Sequence, residues 1–222
     1  MSDLSLIKSI FTLPYFCTDN LPSDSEESSA TQERTPRCNV PGCFLEDVIS
    51  PTSIYVTHFQ ENKEELVERL YNWYNRTVFD NKLPLKMDIM WSKKMGTASG
   101  RCWNKLQNNR RLSRIELSET VCDSAVRVRS TLAHEMCHAA CWIIAGEQRD
   151  NHGPLWQAFT RRVNLIHPEL PKVTRYHNYT INNKYKYKCD LCGKEIGRFR
   201  QIPDNKRKCR RCGGRMRQLP IS

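Results

Sequence analysis

His134-Glu135-Met136-Cys137-His138 places two imidazoles and a carboxylate within five residues. On a helix, residues four apart share a face, so both rings can grip one metal ion and Glu135 can reach a water bound to it. These are the donors and the general base of metal-assisted peptide hydrolysis, for which zinc is the usual ion. A chain with six histidines can contain such a pattern by chance, so its surroundings must support it.

The surroundings predict a helix. Residues 123 to 145 contain no proline or glycine, and Val126, Leu132, Ala133, Met136, Ala140, Ile143 and Ile144 recur near a 3.6-residue period. Asp123 or Ser124 can cap its start and Gly146 can stop it. His134 and His138 then lie beside the apolar stripe, either as core histidines or at a cleft.

A catalytic zinc needs three protein ligands and an open position. A metzincin would have glycine at 141 and histidine at 144, where this chain has Cys141 and Ile144. His152 is the favoured third ligand, because a short return loop before Gly153-Pro154 can bring it back to the helix. His167, Glu169 and His177 are the alternatives. Cys137 and Cys141 read as small buried residues.

The remaining elements must hold this helix in place. A long helix is expected from about Glu61, with Leu66, Leu70, Tyr74 and Val78 on one face and Pro84 barring its continuation. Strand-like pieces follow at Lys86 to Trp91, Ala98 to Trp103 and Arg114 to Ser118. A further helix is expected from about Pro154 to Ile166, with Leu155, Phe159 and Val163 on one face. Helix, small sheet, metal helix and supporting helix make an α+β domain compatible with a compact zincin fold.

A second cluster lies further along. Cys189-x-x-Cys192 and Cys209-x-x-Cys212 have the spacing of a closed four-cysteine zinc ribbon, whose ion is structural. Gly193 and Gly213 follow each pair, where a tight knuckle favours glycine. Around them lie Lys184, Lys186, Lys188, Arg198, Arg200, Lys206, Arg207, Lys208, Arg210 and Arg211, interleaved with Tyr185, Tyr187 and Phe199. Cations beside aromatics suit single-stranded nucleic acid, through phosphate neutralisation and base stacking. The tyrosines can equally form the ribbon's small core.

Charge supports a polyanionic partner. Up to residue 59, three cations face eight acids, a net −5, while the remainder carries 32 cations and 16 acids, a net +16. Residues 17 to 37 are rich in Ser, Asp, Glu, Thr and Pro and read as disordered. Cys38 and Cys43 read as incidental thiols. Met1 to Phe16 lacks the pattern of a signal peptide, and no apolar run is long enough to span a bilayer, so an intracellular protein with reduced cysteines is expected. The organisation expected is a 1–37 tail, a 38–59 lead-in, a 60–181 domain and a 182–222 ribbon.

The metal helix, His152-Gly153, the stretch His167-Pro168-Glu169-Leu170-Pro171 to Tyr176-His177-Asn178-Tyr179, and the four-cysteine ribbon together resemble the SprT-like family. Pro41-Gly42-Cys43-Phe44-Leu45 and Asn75-Arg76-Thr77-Val78-Phe79-Asp80 narrow the resemblance to its germ cell nuclear acidic protein branch, related to Spartan-type proteases. The resemblance implies a DNA-dependent zinc metalloprotease that cleaves proteins covalently crosslinked to DNA, in the nucleus or on chromosomes. It implies His134, His138 and His152 as ligands of one catalytic zinc, Glu135 as acid and base, and a second, structural zinc in the ribbon. Partners implied are DNA with single-stranded character and crosslinked proteins, and SUMO or ubiquitin recruitment is raised by the branch's long acidic region, of which only the stretch Ser23 to Glu33 stands here. Tyr176 and His177 are candidates for oxyanion stabilisation. The competing reading is a nucleic-acid-binding chromatin or transcription scaffold on a degenerate zincin fold. The intact Glu135 argues against it, since a purely structural site has no use for that carboxylate.

Overall fold

The computed structural model describes residues 48, 50–148, 151–168, 170–176 and 183–220. The expectations for residues 1–37, for Cys38 and Cys43, and for Glu169 and His177 fall outside these. Helix α1 (Ile54–Thr57) leads into α2 (Phe59–Thr77), which starts two residues before Glu61 and buries Leu66, Leu70 and Tyr74, with Val78 following at its end. Val48 and Tyr55 join the same core, so packing begins upstream of residue 60. After α2 the chain turns sharply. The Asn75 amide closes the turn, donating to Leu83 O and accepting from Leu83 N, each at 3.1 Å.

Strands β1 (Asp88–Ser92), β2 (Gly100–Gln107) and β3 (Arg110–Ser118) form a sheet of order β1-β3-β2. β1 runs parallel to β3 and β2 antiparallel to it. β2 and β3 are longer than the expected Ala98–Trp103 and Arg114–Ser118, because they form one hairpin. Its turn is Asn108-Asn109, with φ of 48° and 57°, a left-handed pair that asparagine tolerates well. The added strand residues are mostly polar and exposed, so hydrophobic alternation does not reveal them.

The metal helix α3 runs Ala125–Ile143, with Ser124 at its N-cap and Gly146 just past its end at φ 78°. It lies between the sheet and the other helices, packing on β2 and β3, on α2, and on α4 (Pro154–Ile166). Val128, Leu132 and Met136 of α3 are fully buried with Ile115 and Leu117 of β3. Burying each such side chain stabilises by about 1.5–3 kcal/mol. The helix carrying the two histidines is therefore held by ordinary hydrophobic packing. No helix among the described residues is long and apolar enough to cross a membrane.

The second sheet, order β5-β4-β6, comprises β4 (Tyr185–Cys189), β5 (Glu195–Arg198) and β6 (Met216–Gln218), all antiparallel. Its buried cluster is Tyr187, Cys189, Cys209 and Met216. Half of that core is thiol.

Candidate metal centre

His134 and His138 emerge from one face of α3, and the loop after it returns His152 to them. The Nε2 atoms converge, with His152 3.0 Å from His134 and 3.2 Å from His138. Donors 2.0–2.1 Å from a tetrahedral ion stand about 3.3 Å apart, so the spacing fits zinc. His134 Nδ1 lies 3.0 Å from Thr174 O. A carbonyl can only accept, so Nδ1 carries the proton and Nε2 offers its lone pair to the centre. Burial, and then its neighbours His134 and His152, push His138 down to about 3. Its ring is thus neutral, as a ligand must be. The three imidazoles could hold a metal ion.

Two features preorganise the third ligand. His152 sits at φ 65°, in the left-handed region, and Gly153 is the N-cap of α4. Trp156, in the first turn of α4, lies against all three imidazoles, with ring centroids 4.6 Å from His152, 4.8 Å from His134 and 5.6 Å from His138. Its indole N–H donates to His134 O at 3.4 Å. Among the alternatives, His167 is buried elsewhere, stacked on Trp73 with Nε2 2.8 Å from Thr77 Oγ1.

Glu135 is 6% exposed and forms part of a cleft of about 370 Å³ together with the three histidines, Gly100 to Asn104 of β2, Cys141, Glu147, Gln148 and Asn151. Burial raises its carboxyl and outweighs the Arg101 charge and the Cys102 backbone N–H, which lower it, so the balance stands at about 8. A cation at the imidazoles would favour its ionised form further. Gly100 presses directly on it. A Cβ at residue 100 would stand 2.7 Å from Glu135 Cγ and Oε1 and from Thr131 Cγ2. Gly100 and Trp156 are not among the site residues expected from the sequence. A glycine inside a strand signals close backbone approach, which makes Gly100 findable, whereas nothing in the sequence marks Trp156.

The second cluster closes on itself. Cys189 and Cys212 Sγ are 3.5 Å apart and Cys192 and Cys209 Sγ 3.7 Å, near the roughly 3.8 Å edge of a tetrahedral zinc–thiolate site. The backbone N–H groups of Arg211 and Cys212 hold Cys209 down to about 6, which favours the thiolate. Gly193 and Gly213 take φ of 69° and 75°, the knuckle conformation expected of them.

A SprT-like family model matches residues 67–177, half of the chain and the whole of the segment that bears the three histidines. The human germ cell nuclear acidic protein is 43% identical over 211 residues, covering 90% of this chain and 30% of its own length. The Drosophila melanogaster germ cell nuclear acidic protein is 42% identical over 163 residues, covering 72% of this chain and 15% of its own. This chain belongs to the SprT-like family, in its germ cell nuclear acidic protein branch. An HMG box-containing protein of Schizosaccharomyces pombe is 36% identical over 157 residues, 64% of this chain and 43% of that one. The chain spans less than a third of the length of its human and fly relatives.

Outside the SprT-like site the expectations fare unevenly. Tyr176 is 70% exposed and is not a residue of the cleft wall. In the ribbon, Lys184, Lys186, Lys188, Arg200, Lys206, Lys208, Arg210 and Arg211 are exposed, and Tyr185, Arg198 and Phe199 are half-buried. Two candidates for nucleic-acid contact are turned inward. Tyr187 is fully buried, its hydroxyl accepting from Ile202 N at 2.8 Å, because a ribbon this small needs an aromatic in its core. Arg207 is half-buried over the Tyr187 ring, donating to Ile202 O at 2.9 Å and pairing with Asp204 at 2.8 Å.

Proposed function

We propose that this chain is the catalytic part of a DNA-dependent zinc metalloprotease of zincin type, which cleaves proteins covalently crosslinked to DNA in the nucleus or on chromosomes. The observation that carries the reading is the convergence of three imidazole Nε2 atoms beside a buried glutamate at the wall of one cleft. His134, His138 and His152 would hold a catalytic zinc, and the four ribbon cysteines a structural one. Zinc bound there supplies Lewis acidity and acidifies the attacking water. Glu135 accepts the water's proton and delivers it to the departing amine nitrogen. Gly100 and the Cys102 N–H fix the carboxylate's position for both transfers.

Strand β2 walls the cleft and has β3 as its sheet neighbour, so an extended peptide can lie along its other side. Toward the hairpin that side is closed at Asn104, whose carbonyl accepts from Gln148 Nε2 at 3.1 Å. The open part is Gly100 to Trp103, next to Glu135. The exposed cations of the ribbon would hold DNA by its phosphates and bring the crosslinked protein to the cleft. The names of the human and fly relatives support a nuclear setting.

The test uses the purified chain and a protein crosslinked to single-stranded DNA. Wild type should release fragments, more slowly without DNA, and Glu135→Gln should release none while keeping its zinc. Cleavage by Glu135→Gln at the wild-type rate would refute the mechanism.

A further inference from the structure

The outward face of the first sheet carries an aromatic and a row of cations that the catalytic site does not explain. Side chains alternate along β2. Cys102 and Asn104 turn inward, whereas Arg101, Trp103 and Lys105 turn outward and are exposed. On β3 the residues registered against them are Glu116, Arg114 and Leu112, with Arg110 one step beyond, opposite Gln107. Trp103 is 50% exposed, with the Arg101 guanidinium 5.1 Å from its ring centroid, and Leu112 beside it is 38% exposed. The acids of this face are Asp88, which pairs with Arg114 at 2.7 Å, and the half-buried Glu116. Four cations against two carboxylates leave the face positive.

We propose that this sheet face is a second nucleic-acid contact surface, on the catalytic domain itself, which binds a single strand by stacking a base on Trp103. An exposed indole flanked by guanidinium and ammonium groups is the chemistry of a sequence-tolerant stacking platform. Sheets are well suited to it, because their outward side chains stand at regular intervals under successive bases. The positive balance complements a phosphate backbone, and it opposes a basic peptide. Arg101 and Trp103 also reach the rim of the cleft. A strand bound here would run past the catalytic opening, and a protein joined to that strand would be presented to Glu135 at short range. The inference rests on the proposed function for its choice of polymer, but it places contacts where that reading does not.

The experiment measures binding of a fluorescein-labelled oligothymidylate by the full chain, using fluorescence anisotropy over a range of salt. Trp103→Ala should weaken binding about tenfold, toward the low end of the loss expected for one stacked base, and Trp103→Phe should recover most of it. Lys105→Glu with Arg110→Glu should make the salt dependence shallower by about 1.4, roughly 0.7 for each lost phosphate contact on a single strand. All three positions are at least half exposed or polar, so circular dichroism should show an unchanged fold. Arg210→Glu with Arg211→Glu in the ribbon serves as the comparison. If the ribbon variant loses affinity while the sheet variants match wild type, the second surface is refuted and the DNA reading stands. If wild type itself fails to bind the oligonucleotide, both fall. If the sheet variants bind DNA normally but raise KM for a DNA-free protein substrate, the face belongs to polypeptide and the proposal is overturned.

Discussion

The two donor clusters solve opposite problems. The histidine site borrows its rigidity: α3 is packed into a large core, Trp156 braces the rings, and the donors converge as part of the packed domain. The cysteine site has no such support, because Cys189 and Cys209 are themselves half of a buried cluster completed by Tyr187 and Met216. One site is three donors beside a cleft, the other four donors closed on themselves. On the function proposed above, the metal that reacts would sit in a scaffold that stands without it, whereas the metal in the ribbon would be part of the scaffold.

The sharpest way to break this contrast is to remove each set of donors. Cys189→Ser should unfold the ribbon, since structural zinc supplies on the order of 10 kcal/mol of folding free energy in small modules. Amide hydrogen exchange would show β4 to β6 losing protection while α2, α3 and β3 keep theirs. His138→Ala should do the reverse, losing catalytic zinc with every helix still protected. A common loss of both regions in either variant would erase the distinction.

Next in size is chemistry at a standing scaffold. Glu135→Gln should lower kcat by about 10³-fold or more, the upper range for a lost general acid–base, with zinc content at the wild-type value by atomic absorption. Gly100→Ala comes third. The new methyl must displace Glu135 or Thr131, costing about 1–3 kcal/mol of stability as overpacking does, with kcat falling about 10- to 100-fold from a misplaced carboxylate. Thermal unfolding and single-turnover cleavage would separate the two effects. The smallest is Tyr187→Phe, which removes the hydroxyl that accepts from Ile202 N. It should cost about 1 kcal/mol of ribbon stability by removing one partly buried hydrogen bond, and it should leave the affinity of zinc-loaded protein for DNA unchanged. A large drop in that affinity would return Tyr187 to the nucleic-acid face.

The metal helix, α4 and the cysteine knuckles were legible because each rests on local rules: periodicity, a proline at an N-terminus, and glycines in left-handed turns. His152 was favoured from loop length alone, and the rival His167 lies against Trp73, away from the other two imidazoles. The β2–β3 hairpin was harder. Its residues Lys105 to Arg111 are mostly polar, and Asn108-Asn109 is a weaker turn signal than Asn-Gly. Trp156 was invisible as a site residue, and Gly100 was marked only as a glycine inside a strand, since their roles depend on which element crosses which, and only tertiary packing decides that. The ribbon tyrosines looked equivalent in sequence. Their difference arises because Tyr187 pairs with both β5 and β6 on the central strand, while Tyr185 sits at the end of that strand.

The left-handed backbone of His152 has a thermodynamic consequence. For a residue with a Cβ, that conformation lies about 1 kcal/mol above the right-handed one. An ion that draws its third ligand from this residue would reinforce a conformation that the packed domain already imposes. Metal affinity and loop conformation are thereby linked functions, and each can be tuned through the other. Glycine or asparagine at 152 would keep the backbone shape and lose the donor, whereas histidine moved one position along would keep the donor and lose the shape.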